Sequence, residues 1–241
     1  MTYDNLQQVM GTFEQKAGEI SSRQAWIFKA RQQNAVIQLL VKLDRIVSDM
    51  PYTEKEKLAK RFSNIIPKSA TQFRREYDDQ FLEALVEVLG WGWLRDKYPS
   101  QEVRFSEPPD LIVQDDTGQV VAAMACKKIR TSDEDRDYFK SHQGEVRTVN
   151  MRLISSNIGE NPLLRKVKNT LHKGEEQLSK VEASSKFIFI DFSWDVSAWI
   201  QNEQDEQVKG LIKGLAAELQ KRGILLVAFE QFQSCKSFTG A

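Results

Sequence analysis

Two short stretches of this chain bring an acid and a lysine to positions from which they can act together. The first is Glu107-Pro108-Pro109-Asp110, running into the apolar Leu111-Ile112-Val113. The second is Val121-Ala122-Ala123-Met124-Ala125-Cys126-Lys127-Lys128. Between them lies Asp115-Asp116-Thr117-Gly118, a turn-forming sequence that is expected to close a β-hairpin. Residues i and i+2 of a strand share a face, so position 125 and Lys127 point one way while Met124 and Cys126 point the other. If Gln114 and Asp115 lead into a four-residue turn, Asp110 falls opposite position 125. Such a cluster suits phosphodiester hydrolysis: carboxylates hold a hard divalent cation, and an ammonium group stabilises the transition-state phosphate or orients the attacking water.

The elements that must position this hairpin are of two kinds. From Leu6 to about Ile66 the pattern is helical, with Ala35, Val36, Leu39, Leu40, Leu43, Ile46 and Val47 at three- and four-residue spacing. Thr53 with Glu56 reads as a capping box opening a short helix after Pro51. Residues 1–70 therefore form a helical arm whose apolar stripe covers either the main domain or a second copy of the chain. Residues 71–241 form the second domain. It opens with a helix over 75–89 that carries Glu76, Asp79, Glu83 and Glu87 on one side and is ended by Gly90 and Gly92. A polar stretch over about 130–160 reads as a long loop or lid. A basic helix follows Asn161-Pro162 and carries Arg165, Lys166, Lys168, His172 and Lys173. Two apolar runs, 186–192 and 224–229, flank a helix that stops at Gly223. Strand, helix, strand implies a parallel pair buried on both faces, and so an α/β sandwich.

Composition narrows the functions further. With 34 basic and 34 acidic residues the net charge is zero, so contact with nucleic acid has to be local. Lys128 and Arg130 at the end of the hairpin, with Arg165 and Lys168 on the basic helix, are the candidates for such a surface. Two cysteines make no disulfide framework or zinc pattern. The polar N-terminus and the lack of a long apolar stretch point away from a membrane and to the cytoplasm. No phosphate-binding loop, dinucleotide fingerprint or zinc-protease motif occurs. His142 and His172 lack a nucleophile partner and read as ordinary polar residues. Trp91 and Trp93 read as packing.

The hairpin segment resembles the motif of the restriction-endonuclease-like PD-(D/E)XK nucleases, with Pro109-Asp110 as its first part and Ala125-Cys126-Lys127 in the place of (D/E)XK. The resemblance covers roughly residues 74 to 230, including an acidic helix before the hairpin. It implies a central mixed sheet flanked by helices and a Mg²⁺- or Mn²⁺-dependent endonuclease acting on DNA, with RNA as a second candidate and anti-phage defence as a setting. Asp110, an acid at position 125 and the carbonyl of Cys126 would hold the metal. Lys127 would position or activate water, and Glu83 would be an auxiliary acid. The departure is Ala125, because alanine binds no metal. The chain with this alanine is expected to be catalytically impaired, either as a natural pseudo-nuclease or through an inactivating substitution. The rival reading is a non-catalytic nucleic-acid-binding or assembly subunit that retains the fold. Either version is expected to work as a homo-oligomer or with a partner subunit.

Overall fold

The computed structural model describes residues 3–21, 25, 27–28, 34–129, 162–191, 205–229 and 236–238. Its elements run α1 (Asp4–Ser21), α2 (Asn34–Asp49), α3 (Tyr52–Ile65), α4 (Arg75–Lys97), β1 (Glu102–Phe105), β2 (Leu111–Gln114) and β3 (Val120–Lys128). Then follow α5 (Pro162–Leu178), β4 (Ser185–Asp191), α6 (Asp205–Lys221), β5 (Ile224–Phe229) and β6 (Lys236–Phe238). This is an α/β architecture with parallel and antiparallel strand pairs. The expected loop over 130–160, with Arg130 and His142, lies outside the described residues. The chain divides into two compact units, Met1–Cys126 with Val181–Ser184, and Lys127–Lys180 with Ser185–Ala241. The division does not fall near residue 70, because the N-terminal helices belong to the same unit as α4 and the hairpin.

In the first unit, α1 packs on α2 and α3, and both of these pack on α4. Leu6, Met10, Phe13 and Ala17 form the buried stripe of α1, and Leu39, Leu40, Leu43 and Val47 that of α2. The Phe13 ring stacks on Phe81 of α4 at 4.3 Å between centroids, and Phe62 of α3 lies 5.2 Å from the same ring. The stripe of the arm is thus covered by this chain's own α4. Helix ends, whose backbone groups have no partner inside the helix, are closed by side chains from neighbours. Asp44 Oδ1 accepts from the Leu6 amide at 2.8 Å. Lys16 Nζ donates to the carbonyls of Ser63 at 2.6 Å and Ile66 at 2.8 Å, placing a cation on the negative end of the α3 dipole.

Two local expectations are corrected. Pro51 is the N-cap of α3 and no side chain caps it, so Thr53 lies inside the helix and the Thr53–Glu56 box does not form. Proline at the N-cap starts the helix with its fixed φ, leaving the box no role. The first-turn acid with a structural task is Glu54, which is 1% exposed. Its carboxylate accepts from the Phe105 amide at 2.7 Å and pairs with Lys57 at 2.7 Å, tying α3 to β1.

The second correction concerns Gly90 and Gly92, which do not end α4 but lie inside it. They are narrow points of a helix buried on nearly all sides. A Cβ on Gly90 would sit 2.7 Å from Cys126 Sγ and 3.0 Å from Met124 Sδ. One on Gly92 would sit 2.7 Å from Ile46 Cδ1 of α2. Two residues advance an α-helix by about 200°, so one glycine admits the hairpin and the other admits α2 from the opposite side. The sheet they serve is antiparallel β1-β2-β3. Strand β1, Glu102-Val103-Arg104-Phe105, alternates polar and apolar but is only four residues long, too short for the alternation to stand out in the sequence.

In the second unit, β4 and β5 are parallel, Lys186 opposite Ile224 through Asp191 opposite Phe229, and β6 runs antiparallel to β5. Phe187, Ile188, Phe189 and Ile190 are all buried, as expected of a strand covered on both faces. Helix α5 packs on β4, and α6 on β5 and α5. Gly223 at φ 74° follows α6 in the left-handed conformation that glycine adopts without strain. Among the described residues, no helix is long and apolar enough to cross a membrane.

Candidate active site

The β2–β3 hairpin is built around its turn. Asp115 Oδ1 accepts from the Thr117 hydroxyl at 2.6 Å, the Thr117 amide at 2.9 Å and the Gln119 amide at 3.0 Å. The Thr117 hydroxyl is the main cause holding the Asp115 carboxyl below the ordinary aspartate range, with the backbone amides of Gln119, Thr117 and Gly118 adding to it. Gly118, at φ 81°, completes the reversal. The turn leaves Gln114 opposite Val120, and a one-residue shift before Val113 then sets Val113 opposite Ala122, Ile112 opposite Ala123 and Leu111 opposite Met124. One step further places Asp110 beside Ala125; without that shift it would fall beside Met124, on the other face.

Asp110 lies just before β2, 8% exposed, and its Oδ2 accepts from the Cys126 amide at 2.7 Å. The Ser106 amide donates to the Asp110 carbonyl at 3.0 Å, closing the β1–β2 connection. A residue in this place has a structural task in any hairpin: its carboxylate occupies a ladder amide where the partner strand has ended. Ala125 is fully buried. Lys127 is two residues along the same strand and so shares the face of position 125. In the second unit its ammonium donates to Gln177 Oε1 of α5. Gln177 cannot be foreseen from the sequence, since no spacing links a helical amide to a strand lysine 50 residues earlier.

The opposite face of the hairpin is settled by α4. Leu111, Met124 and Cys126 meet Gly90, so Asp110 and Ala125 look away from that helix. Glu83 stands on α4 and lines a different cavity, of about 550 Å³, with Lys57, Lys60 and Arg61 of α3 and the Ser106–Glu107 turn. Glu83 thus shares a cavity with Ser106, whose amide is bonded to the Asp110 carbonyl. Two other acids of that helix are paired: Arg61 with the buried Glu87, and Arg75 with Asp79 at 3.8 Å, while Glu76 is exposed. Replacing Arg61 by Met should lower stability by about 1–2 kcal/mol in urea unfolding, less than a fully buried pair because Arg61 is one-third exposed. The double variant Arg61→Met with Glu87→Met should recover most of that loss.

The basic residues expected on a nucleic-acid face divide differently. Lys128 is only 8% exposed, because strand alternation turns it away from the side of Lys127. Lys168 is exposed and lines a cavity of about 130 Å³ between α5 and α6, beside an ion pair of Glu175 with Arg222. Arg165 lies in α5, its side chain outside the described residues, and Arg130 is likewise outside them. His172 is exposed and 3.4 Å from Glu176, an ordinary helix-surface contact. Trp91 is buried and its Nε1 donates to the Val103 carbonyl at 3.1 Å, a packing role.

With alanine at position 125 the hairpin does not fit a divalent cation. Asp110 contributes one carboxylate, already bonded through one oxygen, and Ala125 contributes none. Among the described residues no group of three or more His, Cys, Asp or Glu side chains converges. A hard cation needs more oxygen charge than this. No protein-family model, curated protein or solved structure matches this chain.

Proposed function

We propose that this chain carries the active-site hairpin of a metal-dependent DNA endonuclease of the restriction-like superfamily, silent because Ala125 stands where the second acid belongs. The observation that supports this reading most is the register placing Asp110 beside position 125, one residue from the backbone amide it binds. A strand-end aspartate has many uses. An aspartate paired with the position two before a lysine, on the face turned away from the covering helix, has fewer. In the intact form the paired acids and the Cys126 carbonyl would bind Mg²⁺ or Mn²⁺, whose chemistry is to polarise the phosphate and activate water. Lys127, steered by Gln177, would hold that water or the phosphate.

A second reading is favoured by the full burial of Ala125: a nucleic-acid-binding or assembly subunit that keeps the hairpin as scaffold. One experiment separates the two. Ala125→Glu should gain chelator-sensitive cleavage of single-stranded DNA, duplex DNA or RNA, assayed with Mg²⁺ and with Mn²⁺. Adding Lys127→Ala should remove that gain while circular dichroism stays unchanged. A variant that binds nucleic acid but cuts none of the three substrates leaves the subunit reading.

A further inference from the structure

We infer that α3 and the segment leading from it to α4 carry the phosphate backbone of a nucleic-acid strand, an inference that rests on the nucleic-acid reading above but not on catalysis. The chain as a whole is neutral, yet residues 54–75 hold seven basic residues and two acidic ones. One of the two acids, Glu54, is buried against the Phe105 amide and neutralises only Lys57, with which it pairs at 2.7 Å. Lys57, Lys60 and Arg61 stand at i, i+3 and i+4, one face of α3, and all three line the 550 Å³ cavity. The far wall of that cavity is Phe105, Ser106 and Glu107, the stretch that turns into Asp110 and is bonded to it.

Within the cavity charge is nearly balanced, because Glu83 and Glu107 share the lining and Arg61 is held by Glu87. A single small anion gains little there. The surplus lies on the rim and beyond, at exposed Lys60, Lys68 and Arg74. Cations spread along a surface, with none of them buried, suit a polymer that offers one phosphate after another rather than one ligand. None of these residues is among those to which sequence patterning points.

The test uses the full chain and fluorescence polarisation with labelled single-stranded DNA, duplex DNA and RNA. Lys60→Glu, Lys68→Glu and Arg74→Glu combined should weaken binding at least about tenfold at low salt. The slope of log affinity against log salt should flatten by about 0.7–0.9 for each phosphate that is no longer neutralised. A control reversal of three exposed lysines of the second unit, Lys173, Lys180 and Lys213, should change affinity less than about twofold on the same reasoning. If the first variant fails to fold, Lys60→Gln, Lys68→Gln and Arg74→Gln give the same direction with a smaller loss. Unchanged binding by the folded variant overturns the surface while leaving the nucleic-acid reading intact. No binding of any oligonucleotide by the parent chain, or binding to anionic phospholipid vesicles in their place, overturns both.

Discussion

Ala125→Glu should unfold more easily than the parent chain in chelator and recover on adding Mn²⁺ or Mg²⁺. The new carboxylate would enter a fully buried position beside Asp110, itself 8% exposed. Two carboxylates brought into one buried site cannot both ionise cheaply, so the introduced acid is pushed toward its protonated form. The sign follows from which state holds the proton. The introduced acid has its folded pKa raised above the unfolded value, so the folded protein binds more protons and stability falls as pH rises between the two values. The deficit against Ala125→Gln, which shares the added bulk, should therefore be small near pH 4, below the unfolded glutamate value, and full at neutral pH. A cation that binds only the folded state restores stability by mass action, about 2.7 kcal/mol at a hundred times its dissociation constant. Thermal unfolding of Ala125→Glu and Ala125→Gln, with chelator and with Mn²⁺, measures this. Glutamine adds the same bulk without the charge and should show no metal effect. If metal raises the melting temperature of neither variant, Asp110 and position 125 do not converge on a cation.

Gly90→Val and Gly92→Ala should both destabilise the first unit, although each replaces glycine inside a helix. Helix propensity alone would favour alanine over glycine by about 1 kcal/mol. Packing reverses the sign. At Gly92 the added Cβ meets three atoms of Ile46 between 2.7 and 3.2 Å, and overpacking of this kind costs about 1–3 kcal/mol. The net loss should be about 1 kcal/mol for Gly92→Ala. It should rise to about 3 kcal/mol for Gly90→Val, where a branched side chain is driven toward Cys126 and Met124. Ile46→Val deletes Cδ1, the atom nearest to the built Cβ, so Gly92→Ala should cost less in that background than in the parent. Additive losses across this double-mutant cycle would mean that α2 and α4 do not meet at Gly92.

The parts of this fold that are legible in the sequence are those with a repeating signal. The apolar runs at 187–190 and 224–227 announce a buried parallel pair, and the spacing of Leu39, Leu40, Leu43 and Val47 announces an amphipathic helix. The Asp115–Gly118 turn announces the hairpin, but the one-residue shift between Val113 and Gln114 that puts Asp110 beside Ala125 has no sequence signal. What escapes depends on neighbours distant in sequence. Glycine in a helical pattern normally signals an end, and only the approach of Ile46 and Cys126 reveals Gly90 and Gly92 as contact points. Glu54 looks like a solvated first-turn acid until β1 arrives over it. Glu83 shares its pattern with Glu87, but a helix face does not disclose which side of the sheet it will cover. Lys128 follows Lys127 in sequence, and alternation then sends it to the opposite, buried side.

The division between the two compact units falls inside β3, between Cys126 and Lys127, and not in a connecting loop. For anyone wishing to handle the units as separate pieces, there is no seam to cut along. A fragment stopping at Cys126 also lacks the Val181–Ser184 contribution and loses two residues from its longest strand. A fragment beginning at Lys127 starts in mid-strand, offering a raw edge to any other chain. In genetic terms, a crossover at this point would hand seven residues of the strand to one product and two to the other.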